Sequence, residues 1–84
     1  MLYITFESIT EIEYSLKDAG NVTLKVFNVL GEEISEIVRH YQAAGSYKVK
    51  FDGSNLSNGV YFYKISVIGN GDDFIQSRMM LITR

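Results

Sequence analysis

Apolar and polar residues alternate along most of the chain with a period of two, which is typical of strands that bury one face. In the first clear example, Ile12, Tyr14 and Leu16 fall on one face and polar residues separate them. The same alternation recurs at residues 22–27, 47–52, 60–68 and 74–83. A short first strand is also predicted at 2–6. The pattern therefore predicts a chain built from short strands.

One segment is ambiguous, because Ile34 and Val38 are four residues apart, as on one face of a helix. We favour a strand here, since the segment is short and turns bound it on both sides. Before it, residues 28–32 form a tight connection that places Gly31 where left-handed backbone geometry is required.

Three further connections are predicted from glycine and small polar residues. Residues 40–45 have the composition of a polar loop, and residues 70–72 that of a two-residue hairpin turn. The longest connection, Asp52–Gly59, contains one apolar residue, Leu56, which we expect to cover the open end of the core.

Six or seven short strands without a long helical crossover predict an all-β fold, an immunoglobulin-like antiparallel β-sandwich of about seven strands. Tyr61 opens the longest strand just after a glycine turn. Immunoglobulin-like sandwiches place a corner tyrosine there, whose hydroxyl bonds back to the preceding loop. Tyr63, two residues on, is then expected in the core. The candidate fold-defining residues are Gly31, Asp52, Gly59, Tyr61 and Tyr63.

The amino-acid composition excludes several classes of function. With 84 residues, the chain is predicted to be a single domain spanning 1–84. The absence of cysteine excludes disulfides and thiolate sites, and a lone histidine, His40, excludes a multi-histidine zinc site. A net charge of −2 argues against nucleic acid as a partner, and no apolar run is long enough to span a membrane.

No residue pattern predicts catalysis. Glu11 and Glu13 lie about 7 Å apart on one strand face, but nothing in the sequence indicates a pocket that would separate the pKa values of two carboxyl groups. We therefore predict that the domain is not an enzyme, has no catalytic residues and binds no metal or cofactor.

Several sequence blocks occur together in a fixed order. They are Ile12–Leu16, Gly20–Gly31, Ala44–Tyr47, Phe51–Leu56, Asn58–Ile65 and Ser77–Arg84. As a set, covering about seven-eighths of the chain, they resemble the C-terminal sorting domain of proteins exported by the type IX (Por) secretion system of Bacteroidetes-type bacteria. The pattern is also similar to the immunoglobulin-like domain of flagellar hook-capping proteins. It departs from the family at residues 3–10, where the usual prolines are missing.

The resemblance implies a non-enzymatic module of a larger exported protein, at the outer membrane, on the cell surface or outside the cell. Its implied partners are the outer-membrane secretion machinery and a sortase-like peptidase that removes the domain. A sheet edge with a terminal strand can present main-chain groups and alternating side chains to a receptor. The candidate sorting-signal residues are therefore Arg78, Met80, Leu81, Ile82 and Arg84.

Two other functions stay open at the level of sequence. The domain is also consistent with a structural or adhesive immunoglobulin-like appendage of an extracellular protein. A glycan-binding module would need exposed aromatic platforms, for which the candidates are Phe27, Tyr41, Phe62 and Phe74. In addition, an uncovered sheet edge predicts self-association, as a homodimer that pairs edges or exchanges terminal strands.

Overall fold

The computed structural model of the protein describes residues 9–69 and 73–82, which form six strands and no helix. The strands are β1 (Ile9–Leu16), β2 (Gly20–Phe27), β3 (Glu33–Gln42), β4 (Gly45–Asp52), β5 (Gly59–Gly69) and β6 (Phe74–Ile82). The all-β prediction is confirmed, with six strands in place of about seven. The predicted first strand at 2–6 and the hairpin turn at 70–72 lie outside the described residues.

The strands form two antiparallel sheets with the orders β1-β4 and β3-β2-β5-β6. The chain changes sheet between β1 and β2, between β3 and β4, and between β4 and β5. In an immunoglobulin-like sandwich, strands B and E pair in one sheet, and strands C, F and G belong to the other, which a strand C′ extends in some members. The observed orders match B-E and C′-C-F-G.

Alternation determines which side chains fill the space between the sheets. In β2 every second residue from Gly20 to Val26 is buried, and Leu24 and Val26 have no exposed surface. Burial of apolar surface on both inner faces holds the two layers together. The buried apolar residues form one cluster: Ile12, Leu16, Val22, Leu24, Val26, Val38, Phe51, Tyr61, Ile65, Val67, Met80 and Ile82.

The ambiguous segment is a strand, as predicted, and β-bulges explain its helix-like spacing. The register between β2 and β3 shifts after Leu24 and again after Val26. Each shift leaves one β3 residue, Ile37 or Ile34, without a directly opposed residue. Because an extra residue reverses the alternation, Val38 and Ile37 are adjacent in sequence yet both contact the core.

The prediction of a polar loop at residues 40–45 is wrong. Residues 40–42 continue β3 and pair with residues 20–22 of β2, and Gly45 already belongs to β4. Only Ala43 and Ala44 connect the two strands. Backbone pairing with β2 fixes this polar part of β3, together with a hydrogen bond from the Tyr14 hydroxyl of the smaller sheet to Gln42.

The connection from β4 to β5 is fixed by polar contacts and by one tyrosine. The carboxylate of Asp52 accepts a hydrogen bond from the backbone N–H of Ser54 at 2.9 Å. Tyr61 is buried, and its hydroxyl donates to the carbonyl oxygen of Ser57 at 2.8 Å. Gly59, which lies between Ser57 and Tyr61 in the sequence, has φ 151°. Leu56 is half-buried against the core cluster.

Candidate functional site

Four of the five candidate sorting-signal residues lie on β6, which is an edge strand of the four-stranded sheet. Its inner side pairs with β5, and its outer edge pairs with no strand among residues 9–69 and 73–82. An edge of this kind offers unpaired backbone N–H and C=O groups to a second chain.

The structure separates these candidates by burial. Met80 and Ile82 are fully buried, so their side chains belong to the core. Leu81 points to the other face of the sheet and is half-buried, whereas Arg78 is exposed. Arg84 lies outside the described residues.

The two-stranded sheet covers the inner face of β6 only at the C-terminal end of the strand. Residues directly opposite each other in antiparallel strands share a face, and Arg78 lies opposite Tyr63 just as Met80 lies opposite Tyr61. Arg78 and the alternate residues before it, Gln76 and Phe74, therefore lie on the core side of the sheet. They are nevertheless exposed, because the two-stranded sheet is narrower than the four-stranded sheet that it covers.

This uncovered area forms a groove between the two sheets, with a volume of about 780 Å³. We call it the flank groove. The β1–β4 sheet contributes Ile12, Tyr14 and Tyr47 to its lining, and the β5–β6 hairpin contributes Tyr63, Phe74 and Arg78. The groove runs beside β1, which pairs only with β4 in the described part of the chain. It therefore combines an apolar floor, a strand edge that is free in the described part of the chain, and charged side chains of both signs: Arg78 and Lys48, Glu11 and Glu13.

Two tyrosines stiffen the β1–β4 wall of the flank groove. The rings of Tyr14 and Tyr47 stack with centroids 5.4 Å apart and planes inclined at 20°. The Tyr14 hydroxyl donates to Oε1 of Gln42 on the opposite sheet at 2.7 Å, and the Tyr47 hydroxyl donates to the carbonyl oxygen of Ala43. Burial raises the pKa of the Tyr14 hydroxyl, the hydrogen bond to Gln42 lowers it, and proximity to Tyr47 raises it.

Lys48 and Glu13, which both line the flank groove, form an ion pair at 4.0 Å, and further ion pairs lie elsewhere on the surface. Lys25 contacts Glu33 at 3.1 Å and Glu36 at 3.9 Å on the outer face of the larger sheet. Arg78 forms no ion pair with any residue that the structure describes. It is thus an exposed cation with no carboxylate within ion-pair distance among the described residues, although Glu11 and Glu13 also line the groove, and it can contact an acidic or carbonyl-rich segment.

The described residues considered for metal binding and for glycan binding do not come together in a site. No cluster of metal-ligating side chains occurs in the described ranges. The aromatic residues considered for glycan binding are divided: Phe27 and Phe62 are half-buried neighbours at one end of the sheet, while Tyr41 and Phe74 lie on opposite faces near the other end. Residues 9–69 and 73–82 contain no helix able to cross a bilayer.

Sequence reasoning missed the flank groove. It predicted which residues share a face of β6, but not that the second sheet stops before covering them. A signal was present in β6 itself, because its inward positions change from apolar residues at 80 and 82 to Gln76 and Arg78. That change marks the point where the cover ends.

The fold defines a small β-sandwich whose described part has unpaired sheet edges. The family described as "Secretion system C-terminal sorting domain" matches residues 4–79, most of the chain. The protein therefore belongs to the family of type IX secretion C-terminal sorting domains. No curated protein and no solved structure matches the chain.

Membership of this family assigns the general function of the domain. A domain of this family is a sorting signal that the type IX secretion machinery recognises. It implies export to the cell surface or the extracellular space. The matched residues include Arg78 and end before Met80.

Proposed function

We propose that this domain is the non-enzymatic sorting module of a larger exported protein and that its β6 edge is the element that the export machinery recognises. Family membership supports the sorting role. The observation that carries the assignment to β6 is that, among the described residues, this strand has no partner on its outer edge and presents Arg78, exposed and without an ion pair, in the flank groove.

The remaining candidates divide into two roles in this proposal. Met80 and Ile82, both fully buried, anchor β6 to the core so that its edge is held straight. Leu81, on the opposite face, offers a half-buried apolar contact beside the edge. Arg84 would add a second cation beyond the strand. A receptor that adds its own strand to this edge gains main-chain hydrogen bonds from the edge and specificity from alternate side chains.

The proposed partners follow from this role. The outer-membrane secretion machinery binds the folded domain, and a sortase-like peptidase then removes it from its cargo. The cargo remains at the cell surface or leaves the cell. Because the domain supplies recognition only, it needs neither catalytic residues nor a cofactor of its own.

A reporter fusion tests the sorting role. We expect that a neutral periplasmic reporter carrying all 84 residues at its C-terminus reaches the surface of a type IX-competent bacterium, measured as the fraction accessible to external protease. A reporter without the domain should stay in the periplasm. If the fusion stays there while a control sorting domain is exported, the sorting proposal fails and a structural appendage becomes the better assignment.

A pair of matched variants tests the assignment to β6. Arg78→Gln removes the groove cation of β6, whereas Lys50→Gln removes an exposed cation of β4 that also forms no ion pair among the described residues. Arg78→Gln should reduce the surface fraction severalfold, and Lys50→Gln should leave it unchanged. Equal export of both variants and the unmodified fusion would refute the role of Arg78.

A further inference from the structure

The turn between β2 and β3 exposes two adjacent aliphatic side chains at its tip. Val29 is 66% exposed and Leu30 is 80% exposed, the largest value among the exposed large apolar residues that the structure describes. Tight turns usually contain Gly, Asn, Asp or Ser at such positions. We call Val29 and Leu30 the apolar tip.

The turn beneath the apolar tip is held rigidly by Asn28. The side-chain Oδ1 of Asn28 accepts hydrogen bonds from the backbone N–H groups of Leu30 at 2.9 Å and Glu32 at 3.0 Å. Its Nδ2 donates to Oε1 of Glu32 at 2.8 Å. The backbone of Asn28 also pairs with Glu32 and Gly31, each at 3.0 Å.

This arrangement makes the tip suited to binding. Gly31 has φ 82°, which lets the chain reverse without strain below the exposed side chains. Five hydrogen bonds fix five residues, so little conformational entropy remains to be lost when a partner encloses the tip. Preorganisation of this kind lowers the entropic cost of binding, so more of the energy of the apolar contact is retained as affinity.

The apolar tip lies at the same end of the sheet as the C-terminal end of β6. Phe27, which precedes the turn, pairs with Phe62, and Phe62 pairs with Met79. The turn therefore continues to the level of the last residues of β6. Since only β5 separates β2 from β6, the two elements are about 10 Å apart. That distance fits within the footprint of one ordinary protein interface.

The charged residues next to the apolar tip favour a protein partner over a lipid surface. Glu32 and Glu33 follow the tip after Gly31, and both are exposed, although Glu33 also contacts Lys25 at 3.1 Å. Carboxylates beside the tip oppose insertion into an anionic membrane surface. They suit a protein socket that is apolar inside and basic at its rim.

We propose that the apolar tip docks into an apolar, basic-rimmed socket of the protein machinery that exports the domain, as a second contact beside the β6 edge. This inference rests on the proposed sorting function. It adds a contact that neither the edge pairing nor Arg78 supplies, and it gives the β2–β3 turn a role in recognition.

Two double variants of the reporter fusion test the proposal. Val29→Ser/Leu30→Ser removes the tip. Tyr41→Ser/Ile68→Ser removes two exposed apolar side chains, 56% and 57% exposed, that lie on β3 and β5 near the opposite end of the sheet. Both pairs are exposed, so unchanged thermal unfolding of the purified domains should verify that each variant folds.

Loss of the apolar tip should lower the surface fraction severalfold and weaken binding of the domain to detergent-solubilised outer membranes of the same bacterium about tenfold, as for a truncated hot spot. The control variant should match the unmodified domain. Export of the tip variant at the unmodified level, or equal losses in both variants, would overturn the proposal. If the unmodified fusion is not exported, the proposed sorting function itself is wrong, and this outcome is distinguishable from failure of the apolar-tip proposal alone.

A vesicle assay separates the two classes of partner. The unmodified domain should not bind vesicles of phosphatidylethanolamine and phosphatidylglycerol at physiological salt. Binding that the tip variant loses would overturn the protein socket in favour of a lipid surface.

Discussion

Replacing Tyr61 by phenylalanine tests the corner that fixes the start of β5. The substitution keeps the buried ring and removes only the hydroxyl, which donates to the carbonyl oxygen of Ser57 at 2.8 Å and lies 3.3 Å from its Oγ. A hydrogen bond of this kind contributes about 1 kcal/mol to the free energy of unfolding. For a domain of 84 residues, that corresponds to a melting temperature lower by about 4–8 °C.

Tyr63→Phe is the matched control. Tyr63 lies two residues further along the same face of β5 and packs against the core. Its hydroxyl forms no hydrogen bond with any residue that the structure describes. We expect a change below about 0.5 kcal/mol for this variant.

Thermal and urea unfolding of both purified variants at pH 7 gives the comparison. Equal stability of Tyr61→Phe and the unmodified domain would refute the corner hydrogen bond. An equal loss of stability in both variants would also refute it, because the loss would then not depend on the hydrogen bond that only the Tyr61 hydroxyl forms.

Four further predictions concern the core, the turn, pH and association. Leu24→Ala, at a site with no exposed surface, should lower the free energy of unfolding by about 2–5 kcal/mol, whereas a change below about 0.5 kcal/mol in urea unfolding would contradict the core. Gly31→Ala should cost about 1–2 kcal/mol because φ is 82° while no atom lies within 4 Å of the added carbon; unchanged thermal unfolding would contradict this. Burial raises the pKa of Tyr14 above its ordinary value of 10.0, so the unfolded chain ionises first and stability falls as pH rises past that value. Tyr14→Phe should therefore lose less stability between neutral and strongly alkaline pH than the unmodified domain, and parallel curves would count against it. The outer edges of β3 and β6, which pair with no strand in the part of the chain that the structure describes, predict dimers in sedimentation velocity at high concentration, and a monomer at every concentration would exclude them.

The strands were predictable wherever one residue in two faces the core. In β2 and β5 the apolar residues mark the buried face directly, so Leu24 and Ile65 could be assigned to the core from sequence. The turn at Gly31 was also predictable, because the position required a residue that tolerates positive φ. These are local properties of the chain.

Features that depend on how two sheets overlap were not predictable. The bulges at Ile34 and Ile37 imitate helical spacing, since each extra residue reverses the alternation. His40 and Gln42 have the composition of a loop, yet backbone pairing with β2 keeps them in β3. The flank groove exposes Arg78 on the core side of β6 because the partner sheet has only two strands in the described part of the chain. The sequence reflects the width of the partner sheet only indirectly, through the polar residues Gln76 and Arg78 at inward positions of β6.

Hydrogen exchange of the domain, alone and bound to solubilised outer membranes of a type IX-competent bacterium, tests the central claim most directly. If β6 and the β2–β3 turn form the recognition surface, amide exchange should slow over residues 74–82 and 28–32 on binding, while β1 and β4 should remain unchanged. Slower exchange confined to β1 and β4, with β6 unaffected, would contradict the account.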